Sequence, residues 1–167
     1  MRQILVFLLV ASFSVWANLA YAQDLKLGYV SLKDVLDNYN KVKDGEEELL
    51  KEAEEKNDQR EALVKDIKNL REKIELLKDK QKESKQKELD GKLQELQDFT
   101  YQTRTDLREK RDEKFREIMQ ETRDVIEEYG SSRKYNIIID DTLLLYKDEG
   151  LDVTEDIIKI LNQRYKK

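Results

Sequence analysis

No proline occurs anywhere in the chain, and its five glycines stand at 28, 45, 91, 130 and 150. Proline breaks the helical hydrogen-bond ladder and glycine weakens it, so their scarcity between 46 and 129 permits very long helices. The apolar residues of that stretch carry the matching period. Leu63, Ile67, Leu70, Ile74 and Leu77 are spaced 4, 3, 4, 3, the seven-residue repeat that lays one narrow stripe along a helix. Leu89, Leu93 and Leu96 repeat it, and Phe115, Ile118, Thr122, Val125 and Tyr129 resume it later. Thr100, Thr103 and Arg111 interrupt the stripe, and Lys56 and Arg60 occupy it upstream. Such a seam holds two helices together but builds no globular core.

The chain ends follow a different period. Residues 24–32 (DLKLGYVSL) alternate Leu25, Leu27 and Tyr29 with Lys26 and Gly28, as a half-buried strand does. Ser31 then caps a helix, with Asp34 three residues on, and Val35, Leu36 and Tyr39 lie over the sheet. Gly130 is a plausible helix stop. Beyond it, 135–146 (YNIIIDDTLLLY) predict two strands around an Asp-Asp-Thr reversal. Asp152 or Thr154 caps a final helix with Val153, Ile157, Ile160 and Leu161 on one side.

Pairing the first strand with the last ones requires the chain to come back. Residues 81–87 (QKESKQK) have no apolar side chain and Gly91 follows, which puts the reversal near 81–88. The alternative, one helix of about 95 residues, would run roughly 140 Å and separate the strands. A hairpin with arms at about 33–80 and 88–131, each near 70 Å, is therefore expected. The predicted class is α+β. Residues 23–34 and 130–167 form a small body of three strands and one helix, and 35–129 form an antiparallel coiled-coil hairpin. A body of about 45 residues buries little surface alone. Its apolar content exceeds what one helix can cover, and exposed apolar area marks an interface. Leu25, Leu27, Tyr29, Ile137, Ile139, Leu143, Leu145, Ile157 and Leu161 are expected to join the body to copies of itself.

Residues 1–22 read as a cleaved export signal. Arg2 supplies the positive start, Ile4 begins the apolar run, and Ala20-Tyr21-Ala22 gives the small-x-small cleavage pattern. Ser12, Ser14 and Asn18 interrupt that run too early for a membrane span of about 20 residues. No cysteine follows the cleavage site, so a thioether lipid anchor is excluded. With no cysteine and no histidine, the chain has no thiol chemistry and lacks the commonest general base and metal ligand. Lys and Arg number 32 against 37 Asp and Glu; losing Arg2 with the leader takes the net charge from −5 to −6. An acidic chain is a poor nonspecific binder of nucleic acid or anionic lipid.

Nothing in the sequence suggests an enzyme, a cofactor or a metal site. Asp140 and Asp141 are adjacent, so in a strand their carboxylates point to opposite faces; a turn role fits better. Asp148, Glu149, Gly150 and Asp152 lack the spacing of a calcium loop. Charge is uneven along the helices: 44–55 hold seven acids and one base, while 78–87 hold five bases and two acids. A solvated face with i, i+4 pairs accounts for most such patterning. Phe99, Tyr101 and Phe115 are the large apolar groups of the second arm and the candidates for contact with a client.

The first strand and helix "LKLGYVSLKDVL", the long charged middle and the close "YNIIIDDTLLLYKDEGLDVTEDIIKIL" together resemble the Skp/OmpH family of periplasmic chaperones. The resemblance implies a jellyfish-like homotrimer in the periplasm, with a barrel-like body and three hairpin tentacles. It implies an ATP-independent holdase that keeps unfolded outer-membrane proteins in the cavity between tentacles until they reach the outer-membrane assembly machinery. The best-known members are strongly basic, whereas the pI here is about 5.1. No lipopolysaccharide or strong anionic-membrane site is therefore expected, and client capture leans on apolar contacts. The competing reading is a structural or adaptor coiled coil of the cell envelope. A spacer needs a continuous seam, while polar seam positions such as Lys56, Thr100 and Thr103 suit arms that flex around clients.

Overall fold

The computed structural model describes residues 25–165, so the expected leader at 1–22 lies outside the described residues. In chain order the elements are β1 (Leu27–Val30), α1 (Leu32–Asn38), α2 (Asn40–Glu75), α3 (Asp79–Ser132), β2 (Ile137–Asp140) and α4 (Thr154–Arg164). Single 3-10 turns at Asp141–Leu143 and Glu149–Leu151 lie between β2 and α4.

The long helices α2 and α3, of 36 and 54 residues, pack against each other as a hairpin. At 1.5 Å per residue they run about 54 and 81 Å. The reversal falls at 76–78, not at the expected 81–88, which are helical. Glutamine, lysine and glutamate are good helix formers even with no apolar neighbour. Ion pairs also hold this segment, Lys85 to Glu88 at 2.5 Å and Lys87 to Glu83 at 3.4 Å. The chain turns where the apolar stripe ends: Ile67, Leu70, Ile74 and Leu89 form a buried cluster that closes the hairpin. Leu76, just past it, is 86% exposed.

The first arm is broken once. Ser31 caps α1, its Oγ accepting from the Asp34 amide at 3.3 Å. Tyr39 is extended, with φ −81° and ψ 119°, and separates α1 from α2. Helix ends leave backbone groups without partners. Here Asn162 of α4 takes two of them: its Oδ1 accepts from the Asn40 amide at 2.8 Å, and its Nδ2 donates to the Asn38 carbonyl at 3.0 Å. The Tyr39 ring meets Tyr165 edge-on at 5.9 Å.

At its far end α3 runs past Gly130 to Ser132, so Gly130 is not the stop. An added Cβ there would make an ordinary contact with Ile138 at 3.4 Å, so neither packing nor backbone conformation requires the glycine. The helix ends in a Schellman motif centred on Lys134, whose φ is 59°. The Tyr135 amide bonds to the Gly130 carbonyl at 2.8 Å and the Lys134 amide to the Ser131 carbonyl at 3.2 Å. This left-handed turn sends the chain back alongside β1.

The sheet has two strands, and they are parallel: Leu27 pairs with Ile137, Gly28 with Ile138, Tyr29 with Ile139 and Val30 with Asp140. The expected strand hairpin at 135–146 does not form in the protomer. Asp140 instead closes a tight turn, its Oδ1 accepting from the Thr142 amide at 2.9 Å and from the Thr142 hydroxyl. The other edge of β1 is taken by the approach to α4, where Tyr29 bridges to Asp152 and accepts from the Val153 amide at 3.0 Å. Residues 143–146 form no strand. Parallel strands need a long crossover, and the whole helical hairpin serves as one.

A second core sits at this base. Val35, Tyr39, Val125, Ile157 and Leu161 are its most enclosed residues, with Val30, Ile118, Tyr129 and Val153 around them. Among the described residues, no buried apolar cluster links the two arms between the base and tip clusters.

Candidate functional site: outer face of the body and surfaces of the arms

Side chains alternate across a strand, so β1 and β2 present two faces. Val30 and Ile138 point into the base core. Leu27, Tyr29, Ile137 and Ile139 share the opposite, outer face because they are register partners. On that face Tyr29 is buried, and Lys147 Nζ lies 4.9 Å over its ring. Leu27 is 37% and Ile137 47% exposed, and Ile139 is half-buried. Leu25, just before β1, is also exposed. Across the 141–147 turn, Leu143, Leu145 and Tyr146 stand almost bare, Leu145 at full exposure. Gly28 lies beneath the Tyr135 ring, where a Cβ would come within 2.9 Å of it. That ring stacks on Tyr129 at 5.8 Å, with Lys26 Nζ 4.0 Å from its centre.

Three of the nine expected interface residues are used differently. Tyr29, Ile157 and Leu161 are 3%, 0% and 1% exposed within a single protomer. Ile157 and Leu161 face α1 and α3 and belong to the base core, because the one-sided stripe of α4 has the protomer's own helices to pack on. Tyr146, with 84% of its surface exposed, joins the exposed apolar set although its signal was weak. It directly follows Leu145, so strand alternation would have placed it on the opposite face from Leu143 and Leu145.

The arms carry the remaining candidates. Phe99 is half-buried in the seam, with Lys56 Nζ 5.8 Å from its ring centre. Tyr101 is 74% and Phe115 53% exposed, so two of the three aromatic residues project from the hairpin. Phe115 lines a shallow groove with Leu36, Val42 and Ile118 at the root of the arms. Where the apolar seam lapses, ion pairs connect the helices: Lys114 to Glu48 at 2.7 Å and Lys110 to Glu52 at 2.5 Å. Nearer the base, Lys41 bridges Glu117 and Glu121 at 2.7 and 2.6 Å. The hydrogen bond from Lys41 holds the Glu117 carboxyl below the usual carboxylate range.

Two tyrosines anchor the arms to the body. The Tyr39 hydroxyl donates to Glu121 at 2.9 Å and the Tyr129 hydroxyl to Asp156 at 2.5 Å. Burial first, then these carboxylate partners, push both phenols far above the ordinary tyrosine range. Neither pairing was visible in the sequence, because each joins residues far apart along the chain. Among the described residues, no cluster of carboxylates could hold a metal ion, and no helix is long and apolar enough to cross a membrane.

The arrangement of base, parallel strands and long hairpin has a known counterpart. The model of the outer membrane protein (OmpH-like) family matches residues 26–161. The chain belongs to the OmpH-like family. Among solved structures, the crystal structure of a candidate OmpH-like outer membrane chaperone from Caulobacter crescentus CB15 is similar in fold. Its TM-score is 0.77 at 12% identity, and the match covers 83% of this chain and 85% of that one. No protein among those with curated descriptions matches. Membership in this family also sets the chain apart from enzymes.

Proposed function

We propose that this OmpH-like protein is an ATP-independent holdase of the periplasm that keeps unfolded outer-membrane proteins from aggregating. Three copies join through the outer face of the body, and the arms enclose the client until it passes to the outer-membrane assembly machinery. One observation carries the reading. The protomer leaves Leu25, Leu27, Ile137, Leu143, Leu145 and Tyr146 uncovered on one small body, while its arms project Tyr101 and Phe115 from a hairpin whose buried apolar clusters, among the described residues, lie at base and tip. Apolar surface of that kind on a polar chain fits self-association at the body and capture along the arms. The similar structure, described as a candidate outer membrane chaperone, supports the same reading.

The mature chain is expected to sediment as a trimer, and Ile137→Asp or Leu145→Asp to give monomers with unchanged helicity. A monomeric wild type at micromolar concentration would overturn the assembly. The same trimer is expected to suppress light scattering from a urea-diluted outer-membrane barrel protein near one trimer per client. Unchanged scattering at excess trimer would favour a structural spacer of the envelope instead.

A further inference from the structure

The two helices of the first arm begin differently. α1 has a local cap, the Ser31 Oγ on the Asp34 amide. α2 has none: Tyr39, the residue that precedes it, makes no side-chain cap bond, and no acidic residue stands in its first turn. Lys41 and Lys43 stand there instead, where positive charge opposes the helix dipole. Val42 packs on the base core but is only half-buried. Left to local interactions this turn would fray, because an uncapped start leaves backbone amides without partners.

The missing cap is supplied from α4. Asn162 accepts from the Asn40 amide at 2.8 Å across 122 positions of sequence, and it donates to the Asn38 carbonyl at 3.0 Å. One side-chain amide thus serves both sides of the break. Tyr165 donates its hydroxyl to Asp44 of α2 at 3.0 Å and sets its ring edge-on against Tyr39. Arg164 pairs with Glu128 of α3 at 2.5 Å. The ion pairs of Lys41 to Glu117 and Glu121 restrain its side chain but leave the Asn40 amide to Asn162. A cleft of about 250 Å³ beside these contacts, lined by Tyr39, Val125, Leu161, Arg164 and Tyr165, gives the Tyr165 ring room to withdraw. α3, by contrast, runs unbroken into the base core.

We infer that the last turn of α4 is a latch on the base of α2. With Asn162 and Tyr165 seated, the first turn of α2 is helical and the helix lies along α3. When they withdraw, that turn unwinds and α2 comes free at its base, while α3 stays anchored. A change at the end of α4 is thereby passed into one helix of the arm. The latch belongs to the single protomer and does not depend on the holdase reading.

Hydrogen–deuterium exchange of the full mature chain, read segment by segment, tests it. Asn162→Ala with Tyr165→Phe is expected to speed exchange of residues 42–50 about tenfold, while residues 118–130 of α3 keep their wild-type rates. Asn162→Asp alone keeps an acceptor for the Asn40 amide and should retain most of the protection at 42–50. Asn40 is exposed, and Asn40→Asp in the double variant puts a carboxylate at the start of α2. That change should recover about threefold of the lost protection, because it gives the turn the local charge it lacks. If α4 merely stabilised the base, exchange would rise in 118–130 as much as in 42–50. That result overturns the latch, as do wild-type rates at 42–50 in the double variant or no recovery with Asn40→Asp.

Discussion

Thr122 offers a prediction whose sign is unusual for a core substitution. It lies on the seam face of α3, is 1% exposed, and its hydroxyl has no hydrogen-bond partner among the described residues. Replacing it with valine keeps the β-branched shape and exchanges the hydroxyl for a methyl. A buried, unmade hydrogen bond costs about 1–3 kcal/mol, which the substitution removes. The new methyl adds about 0.8 kcal/mol of apolar burial. Threonine and valine differ little in helix propensity, so the backbone term is small. Tighter packing around the larger apolar group offsets part of this gain. Thr122→Val is therefore expected to stabilise the protein by about 1–2 kcal/mol, raising Tm by about 2–8 °C at this chain length. Urea and thermal unfolding followed at 222 nm would measure it, with wild type and variant at one protein concentration because assembly contributes to apparent stability. Thr122→Ser is the control. It keeps the hydroxyl and deletes the methyl, and should lose about 1 kcal/mol. If valine destabilised as much as serine, the hydroxyl must be satisfied, and the reasoning fails.

Two further outcomes follow from polar contacts at the base. Asn162→Ala removes the acceptor for the Asn40 amide and the donor to the Asn38 carbonyl. At about 0.5–1.5 kcal/mol for each bond, the urea midpoint should fall by the equivalent of about 1–3 kcal/mol, with Asn162→Asp in between. An unchanged midpoint would mean that water replaces the amide at the helix break. The second outcome concerns alkaline pH. Tyr39 and Tyr129 have phenols raised by burial, so above about pH 10 the unfolded chain binds fewer protons than the folded one. Their contribution is complete below the ordinary tyrosine pKa and is lost as pH rises beyond it. Absorbance at 295 nm should show a late-ionising fraction that appears together with loss of helicity, and Tyr39→Phe with Tyr129→Phe should remove that fraction. Ionisation of every tyrosine in one early step, with the fold intact, would contradict it.

Much of this architecture is legible in local pattern. Ile67, Leu70 and Ile74 repeat at helical spacing, and they are buried in the tip cluster. Val125 and Tyr129 repeat likewise at the base. Ser31 was readable as a cap because the interaction spans three residues. Asp140 was readable as a turn former for the same reason. The position of the reversal was less legible. A polar run such as 81–87 resembles a loop in composition, yet its residues favour helix, and the turn sits at 76–78 where the buried stripe ends. The strand hairpin at 135–146 was misread because alternation specifies a strand but not its partner. Residues 141–143 form a 3-10 turn closed by Asp140 instead, and β2 takes β1 as its partner.

The sequence by itself determined two long helices, because nothing between 46 and 129 stops them and a narrow apolar stripe requires a second helix. It also determined that the two ends of the chain must meet, since each carries apolar residues too few to form a core alone. Tertiary structure decided the rest. It made the strands parallel through a left-handed turn at Lys134 and assigned Ile157 and Leu161 to the protomer's own core. It also closed the break at Tyr39 with an amide from the last helix. Each of these depends on which surface another element has already covered, and that is a property of the folded chain rather than of any window along it.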